Sequence, residues 1–427
     1  MMLRSQILWE TQVISPTPFP ALMGDGTADV CIIGGGYTGL SAAIRLREAG
    51  KSVILLEAHR IGSGGSGRNV SLVNAGTWAQ PDNLNKQLGE KDSEKLTAAL
   101  GQAPKLVWDT IDRFNIDAKD SRAGNLHMAH NAKAEADINA RYEQLTRRGA
   151  DVEIIQGSRC HEMTGTISIQ KALLDKRAGT INPYAYVTGL AKAANALGAQ
   201  IFETSSVTQL EKNGQNWLVK TEQGSVIAEK VIIASNAYTE GEWTDILKSV
   251  YFVCYYQIAT APLEEPWNSR ILPARNGSWD TRLALSSIRR DSENRLLFGT
   301  VGLSDGKQAL YTAWANRMAK LYFPDLKSEW EYRWCGRFGF TPDHIMRIFE
   351  PANGIVAATG YNGRGITTGT LFGKALADYL LDNNTEHLPI PIKTLTESEL
   401  GQRHLRAGLY DTGIALYHAG QCLRIVA

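Results

Sequence analysis

The sequence predicts an α/β protein, α+β over the whole chain, in which a mostly parallel sheet is joined to a domain built on an antiparallel sheet. Three observations support this prediction. A strand, a glycine-rich turn, a helix and a second strand follow one another within residues 28–57. Short apolar strands recur much later, at residues 230–235 and 354–359. Between residues 251 and 301, longer strands with alternating side chains are separated by polar turns, as in an antiparallel sheet.

Residues 28–57 read ADVCIIGGGYTGLSAAIRLREAGKSVILLE, which is a complete dinucleotide-binding unit. The apolar residues 30–33 predict a buried parallel strand, residues 40–49 have helical periodicity, and residues 52–56 form the second strand. The alternative interpretation is a glycine-rich turn without a ligand. That alternative does not account for all four parts lying in register.

Each glycine of the G-x-G-x-x-G turn has a physical role. Gly34 allows the tight turn out of the strand, Gly36 lets the backbone approach a pyrophosphate, and Gly39 lets the helix pack closely on the sheet. The helix N-terminus offers N–H groups and a positive dipole end to the phosphates. Glu57 ends the second strand, where a carboxylate accepts hydrogen bonds from an adenosine ribose.

The remaining elements follow from periodicity and turn signals. Residues 60–69, RIGSGGSGRN, are a second glycine-rich loop directly after Glu57, and residues 360–365, GYNGRG, are a third. Helices are predicted over residues 83–115, 132–148, 186–197 and 366–381, and further strands over residues 200–203, 206–211, 217–221, 230–235, 251–259, 296–300 and 354–359.

The nucleotide-binding domain is therefore expected to be discontinuous. Its parts are residues 1–82, 183–245 and 345–427, and the second domain takes residues 83–182 and 246–344.

Composition restricts the function further. The chain has 427 residues, 43% of them hydrophobic, and a formal net charge of +1, which fits an enzyme for small molecules and gives no electrostatic case for nucleic acid. Five scattered cysteines form no C-x-x-C pair and no metal-ligand spacing, so no metal site is predicted. No signal peptide or membrane-spanning stretch is predicted. A cytoplasmic location is expected, with peripheral contact at the inner face of a membrane left open.

The glycine turns favour FAD as the nucleotide. A nicotinamide dehydrogenase usually keeps its Rossmann domain in one block, and flavin disulfide reductases carry a second G-x-G-x-x-G with a C-x-x-x-x-C pair, both absent here. Residues 363–368 open a helix whose N-terminus is suited to stabilise negative charge on the pyrimidine ring of a reduced flavin. One glycine turn would hold the pyrophosphate and another the ring.

These motifs resemble the D-amino-acid oxidase, glycine oxidase and sarcosine oxidase superfamily, and within it the bacterial γ-glutamylputrescine oxidoreductase and L-pipecolate oxidase group. The matching segments are CIIGGGYTGLSAA with Glu57, IGSGGSGRN, VIIASNAY, FGFTPD and GYNGRGITTG, which span nearly the whole chain in the family's order. The resemblance implies oxidation of a C–N bond in an amine or amino acid, with hydride passing to flavin N5 and an imine as product. Oxygen or a respiratory carrier would then reoxidise the flavin.

The resemblance also implies the flavin contacts. They are Gly34, Gly36, Tyr37, Thr38, Gly39, Glu57, Ala58, Arg60, Gly62, Ser63, Gly64, Gly65, Ser66, Arg68, Val207, Ala234, Gly363, Arg364, Gly365, Ile366 and Thr367. Two alternatives are open: residues 63–67 as a surface loop, and Val207 as strand core.

The substrate-site candidates are Arg337, Tyr256, Tyr361 and His344. A guanidinium suits a substrate carboxylate, and aromatic walls exclude water. The alternatives are a surface ion pair for Arg337, a core role for Tyr256 and a structural role for His344. Asn69 and Asn74 would reach the ring or cap a turn.

Cys335 marks a departure from the family. In the monomeric sarcosine oxidase branch, a cysteine near the TPD segment is bonded to the flavin, whereas Cys335 is displaced by one position. Non-covalent FAD is therefore expected.

Three functional classes are compatible with these residues. The first is an FAD enzyme for an amine or imino acid, with an L-pipecolate-like cyclic amino acid favoured and γ-glutamylputrescine second. The second is the flavin subunit of a multi-subunit amine dehydrogenase. The third, a binding protein without redox activity, does not explain three complete glycine turns.

Overall fold

The computed structural model describes residues 5–240, 243–302, 308–327, 329–394 and 403–422. The strands are β1 (Gly24–Ile33), β2 (Val53–Leu56), β3 (Leu72–Val73), β4 (Asn125–Met128), β5 (Val152–Gln156), β6 (Lys171–Asp175), β7 (Gly179–Thr180), β8 (Gln200–Phe202), β9 (Gln209–Asn213), β10 (Asn216–Lys220), β11 (Gly224–Ile233), β12 (Tyr251–Pro262), β13 (Gly277–Asp280), β14 (Ser286–Arg290), β15 (Arg295–Val301), β16 (Trp330–Phe340), β17 (Arg347–Ala352), β18 (Ile355–Thr359) and β19 (Ile392–Lys393). The helices are α1 (Leu8–Thr11), α2 (Tyr37–Glu48), α3 (Gly65–Arg68), α4 (Pro81–Leu88), α5 (Glu90–Arg113), α6 (Ala132–Thr146), α7 (Gly157–Thr164), α8 (Pro183–Ala196), α9 (Trp267–Arg270), α10 (Gln308–Tyr322), α11 (Gly365–Asp382) and α12 (Arg403–Cys422).

The first sheet draws its strands from the beginning, middle and end of the chain. Its order is β19-β17-β18-β11-β1-β2-β8, parallel from β18 to β8, with the β9–β10 hairpin added to the first half of β11. The apolar end of β1, Val30–Ile33, is buried on both faces, as a central parallel strand requires. Helix α2 crosses from β1 to β2 and lies against α8 and α11.

The second sheet is antiparallel apart from one strand pair. Its order is β16-β12-β15-β14-β13-β4-β6-β5, and only β13 and β4 run parallel. One face packs on α10 through a core that contains Ile258, Phe298 and Trp314. The predicted fold class, a discontinuous Rossmann-like domain with an antiparallel-sheet domain, is confirmed.

Local sequence signals account for several helix boundaries. Asn182 caps α8, because its side chain accepts hydrogen bonds from the N–H groups of Tyr184 and Ala185, and Pro183 occupies the first helical position. The prediction of a single helix over residues 83–115 is wrong. The structure has two helices in this region, α4 and α5, and the first ends at Gly89, which has φ of 77°.

Two helices pack against the domain to which the sequence did not assign them. Helix α5, assigned to the second domain, lies against α11, and its residues Leu96, Leu100 and Val107 belong to the core of the first sheet. Helix α12, assigned to the first domain, lies against α10 and β12. The boundaries themselves stay a prediction. Among the described residues, no helix is both long and apolar enough to span a bilayer.

Candidate functional site

A cavity of about 830 Å³ lies between the first sheet and the second. All three glycine-rich turns line it from one side, and residues of β12, β13, β14 and β16 line it from the other. The second glycine loop touches both walls, because the carbonyl oxygen of Arg68 accepts hydrogen bonds from Gln257 (2.8 Å) and Trp334 (3.0 Å) of the second sheet. The cavity is therefore shared by both parts of the molecule.

The first glycine turn has the geometry that a pyrophosphate needs. Gly34 has φ of 109°, a conformation that favours glycine, and its N–H donates to the carbonyl oxygen of Leu56 (2.8 Å). A side chain at Gly39 would overlap the carbonyl oxygen of Gly34, so α2 can approach β1 this closely only with glycine there. The N-terminus of α2 consequently opens directly into the cavity.

Glu57 is held in place by backbone donors. Its carboxylate accepts hydrogen bonds from the N–H groups of Gly35 (2.8 Å) and His59 (3.0 Å). Burial raises the pKa of Glu57, and the two hydrogen bonds oppose that shift. Each oxygen has lone-pair capacity left for ribose hydroxyl groups.

The second glycine loop is tied to the first turn. The hydroxyl oxygen of Ser66 accepts from the N–H of Tyr37 (3.2 Å), and the Tyr37 hydroxyl donates to the carbonyl oxygen of Ser66 (2.6 Å). A side chain at Gly36 would lie 2.9 Å from the Ser66 hydroxyl oxygen. The loop therefore closes over the first turn and is not a free surface loop.

The third glycine turn carries a buried arginine. The guanidinium of Arg364 donates to the carbonyl oxygens of Ala75 (2.7 Å) and Gly76 (3.3 Å) and lies 5.3 Å from the ring centres of both Trp78 and Trp279. Burial, together with the positive charge of Arg141, lowers the pKa of Arg364 to about 9. The cation and the N-terminus of α11 thus meet at one end of the cavity.

Most of the predicted cofactor residues line this cavity. They are Gly34, Gly36, Tyr37, Thr38, Glu57, Ala58, Gly62, Ser63, Gly64, Gly65, Ser66, Arg68, Val207, Ala234, Gly363, Arg364 and Gly365. Gly39, Arg60, Ile366 and Thr367 do not line it. Gly39 acts through helix packing, and Ile366 and Thr367 are buried in α11.

The cavity fits FAD. Two helix N-termini, of α2 and α11, open into it, one beside a carboxylate placed for a ribose and the other beside a cation and two indole rings. This is the arrangement that a dinucleotide with a phosphate-bearing middle and an electron-accepting ring requires.

The structure brings three of the four substrate-site candidates to the cavity, namely Arg337, His344 and Tyr361. The Arg337 guanidinium lies over the rings of Tyr238 (4.8 Å) and Phe252 (4.7 Å). Among the described residues it has no ion pair, and its buried Nε has no hydrogen-bond partner. His344 packs edge-on against Phe340, and burial lowers its pKa.

Tyr361 also has a structural contact. Its hydroxyl lies 2.8 Å from Oγ1 of Thr38, and burial raises its pKa. Asn69 caps its own loop, since its amide donates to the carbonyl oxygens of Gly65 and Ser66, and Asn74 accepts from the amide of Asn125.

Tyr256 does not line the cavity, so the prediction that it belongs to the substrate site is wrong. Its ring is fully buried in the core of the second sheet, stacked 5.1 Å from Tyr311. Its neighbours Tyr255 and Gln257 line the cavity instead, because successive side chains of β12 point to opposite faces. Cys335, the ladder partner of Tyr256, is not a lining residue either, and its sulfur lies 3.4 Å from the carbonyl oxygen of Gly302.

Sequence reasoning missed several aromatic lining residues: Trp78, Tyr238, Trp243, Tyr255 and Trp279. Tyr238 ends the VIIASNAY segment, so that motif contained a usable signal. Trp78 and Trp279 come from distant segments with no periodic pattern of their own.

Comparison with known proteins identifies the family. Residues 29–379 match the family described as FAD dependent oxidoreductase (DAO). The chain is 32% identical over 413 residues to "Gamma-glutamylputrescine oxidoreductase" of Escherichia coli (strain K12), covering 94% of each chain. It is 25% identical to "Glycine oxidase" of Geobacillus kaustophilus, covering 82% of this chain and 92% of that one.

Solved structures show the same fold. The crystal structure of glycine oxidase from Geobacillus kaustophilus superposes with a TM-score of 0.70 at 22% identity, covering 83% of this chain and 95% of that chain. L-proline dehydrogenase from P. horikoshii gives a TM-score of 0.70 at 17% identity, covering 90% and 99%. The resemblance seen in the motifs and the assignment of FAD are confirmed. The chain belongs to the DAO family of FAD-dependent oxidoreductases and is an oxidoreductase of amines or amino acids.

Proposed function

We propose that this enzyme oxidises the C–N bond of a small, carboxylate-bearing amine to an imine, with a cyclic amino acid of the L-pipecolate type as substrate. The observation that supports this most directly is Arg337. Arg337 lines the cavity, its guanidinium lies over the ring of the lining residue Tyr238 and over that of Phe252, and it has no carboxylate partner among the described residues. A substrate carboxylate would supply that partner through a bidentate ion pair.

The residues of the cavity would bind and shield the substrate. An ion pair to Arg337 would orient the amine, and the rings of Trp78, Tyr238 and Trp279 would exclude water from the reacting carbon. Bound FAD would supply the acceptor for the hydride that leaves this carbon. Arg364 and the N-terminus of α11 would stabilise negative charge at the same end of the cavity.

The second candidate substrate is γ-glutamylputrescine. The 32% identity to the Escherichia coli enzyme over 94% of both chains favours it. The two candidates place the substrate carboxylate differently: on a carbon bonded to the reacting nitrogen in L-pipecolate, and at the far end of the molecule in γ-glutamylputrescine. O2 and a respiratory carrier are both candidate electron acceptors, and FAD is proposed to be held without a covalent bond.

The test is anaerobic bleaching of the flavin absorbance of the purified, FAD-loaded enzyme. The panel contains L-pipecolate, D-pipecolate, γ-glutamylputrescine, putrescine and piperidine, each followed by admission of air. Rapid bleaching by L-pipecolate, with piperidine inactive, supports the main proposal, and selective bleaching by γ-glutamylputrescine supports the second. If no amine bleaches the flavin, both proposals are wrong. Recovery of colour in air identifies an oxidase, and the size-exclusion mass of the active enzyme tests the multi-subunit alternative.

A further inference from the structure

A second cavity of about 400 Å³ lies beside the FAD cavity. The two cavities adjoin at three shared lining residues, Ala79, Trp279 and Arg364. Ala98, Gln102 and Gly149 line the second cavity and are exposed to solvent. It therefore runs from the protein surface to the wall of the flavin site, and its volume suits a small molecule.

The charges that line this cavity do not balance. Four arginines and two carboxylates line it, and each carboxylate is already paired. Glu94 accepts a two-pronged contact from Arg148 (2.6 and 2.9 Å), and Asp175 accepts one from Arg177 (2.7 and 2.9 Å). The other two arginines, Arg141 and Arg364, make no ion pair among the described residues, although Asp175 attracts both through space and Asp137 attracts Arg141.

These two arginines are held side by side by one stretch of backbone. Arg364 donates to the carbonyl oxygens of residues 75 and 76, and Arg141 donates to those of residues 77 (3.4 Å) and 78 (2.6 Å). Neutral carbonyl groups orient the two cations without cancelling their charge. Burial lowers the pKa of Arg141 to about 10, and the charge of Arg141 also lowers the pKa of Arg364.

Buried polar atoms without partners lie at the same place. Nε of Arg364, a donor on a side chain that is 4% exposed, has no hydrogen-bond partner among the described residues. Nδ1 of His127 and Oδ1 of Asn125, both lining residues, also have none. Nε of Arg364 is a donor, and Nδ1 of His127 is a donor in the tautomer that carries its proton there, so an anionic ligand would supply the acceptor that both lack; Oδ1 of Asn125 is an acceptor and gains nothing from an anion.

We propose that the second cavity is a binding site for the carboxylate group of a small molecule, held by Arg141 and Arg364. The carboxylate belongs either to the far end of an amine substrate or to a separate small molecule that binds beside the flavin. In both cases the site places a bound anion directly behind Arg364, a residue of the flavin cavity. This proposal is independent of the proposed substrate, because binding of an anion to the second cavity is measured without turnover.

The test is isothermal titration of the oxidised, FAD-loaded enzyme with glutarate at low ionic strength. Arg141→Gln should weaken glutarate binding at least tenfold, because it removes a charge-assisted hydrogen bond. A tenfold change in affinity corresponds to about 1.4 kcal/mol. Arg147→Gln is the matched control, because Arg147 is exposed, pairs with Asp82 and does not line the cavity. It removes the same charge nearby and should leave glutarate binding unchanged.

A second pair of variants does not depend on a buried side chain. Ala98 is an exposed position of α5 at the mouth of the cavity, so substitutions there leave the core untouched. Ala98→Glu should weaken glutarate binding by electrostatic repulsion, and Ala98→Lys should keep or strengthen it. The two variants have the same helix position and differ in the sign of the new charge.

Kinetics distinguish the two sources of the carboxylate. If it belongs to the substrate, glutarate competes with the amine, and Arg141→Gln raises KM for an amine with a distal carboxylate but not for the same amine without it. If it belongs to a separate molecule, glutarate binds together with the amine and KM is unaffected. The site is rejected if glutarate does not bind, or if it binds equally to wild type, Arg141→Gln and Ala98→Glu.

Discussion

The hydroxyl groups of Tyr361 and Thr38 lie 2.8 Å apart and join the third glycine turn to the first. Thr38 belongs to α2, whose N-terminus faces the cavity, and Tyr361 lies just before α11, whose N-terminus also faces it. This buried hydrogen bond links the two helix ends that are expected to flank FAD, in addition to the packing of α2 against α11. The side chains come from positions more than three hundred residues apart.

Removal of this hydrogen bond should destabilise the protein modestly. Tyr361→Phe keeps the ring packed against Phe372 and removes only the hydroxyl, so we expect a loss of about 1 kcal/mol in the free energy of unfolding. A double-mutant cycle with Thr38→Val, measured by urea unfolding, should give a coupling energy of about 0.5–1.5 kcal/mol. Additive effects of the two substitutions would show that the hydroxyl groups do not interact.

Gly39→Ala should disrupt the FAD turn. The added methyl group would overlap the carbonyl oxygen of Gly34, so α2 must move away from β1. We expect a destabilisation of about 1–3 kcal/mol and loss of FAD during gel filtration. Gly408→Ala is the control, because nothing lies within 4 Å of a methyl group there. Full retention of FAD by Gly39→Ala would contradict the predicted role of this glycine.

Arg337→Gln should affect only substrates that carry a carboxylate. We expect the KM for the carboxylate-bearing amine to rise by about tenfold to a hundredfold, as for loss of a charge-assisted pair. The flavin spectrum should change little, and the midpoint of thermal unfolding should fall only slightly, because the variant loses the contacts of the guanidinium with Tyr238 and Phe252 but no ion pair among the described residues. Steady-state kinetics with L-pipecolate and piperidine make the comparison, and an equal loss for both would point to a structural role.

The stability of the protein should depend on the titration of His344. Burial lowers the pKa of His344 below its ordinary value of 6.5, although the charge of Asp343 opposes the shift. The neutral histidine therefore contributes stability above pH 6.5, which is lost as the pH falls through the lower pKa of the folded state.

His344→Asn removes this titration and suits the backbone, because His344 has φ of 59° and asparagine tolerates that conformation. Urea unfolding of both proteins between pH 7.5 and pH 5 should show wild type losing stability relative to the variant as the pH falls. A pH-independent difference would mean that the pKa of His344 is not lowered.

The flavin-binding half of the site was predictable because its signals are local. The turn at Gly34, the helix after it and Glu57 lie within one continuous unit, and each glycine has a steric reason that spacing alone reveals. The same holds for the motif around Gly363. Most of the predicted contacts consequently line the observed cavity.

The substrate half was less predictable because it depends on which alternate side chains of a strand face the cavity. In β12 the run YFVCYYQIA offers apolar or aromatic residues at successive positions, so alternation does not reveal which face is buried. Pairing with β15 and β16 places Tyr256 in the core and Tyr255 on the cavity. Short strands such as β4 were missed for a related reason, since NLHM has no periodic pattern and is held by neighbours distant in sequence.

The sequence by itself determined the fold class, the dinucleotide turn and the family. These depend on motifs of contiguous residues, and the spacing of the glycines within each motif has a steric cause. The tertiary structure alone decided which side chains meet across the two sheets. It brought Arg141 and Arg364 onto one stretch of carbonyl groups beside a second cavity, where neither makes an ion pair among the described residues. Contacts between residues so far apart depend on how whole elements pack, and no local pattern encodes that.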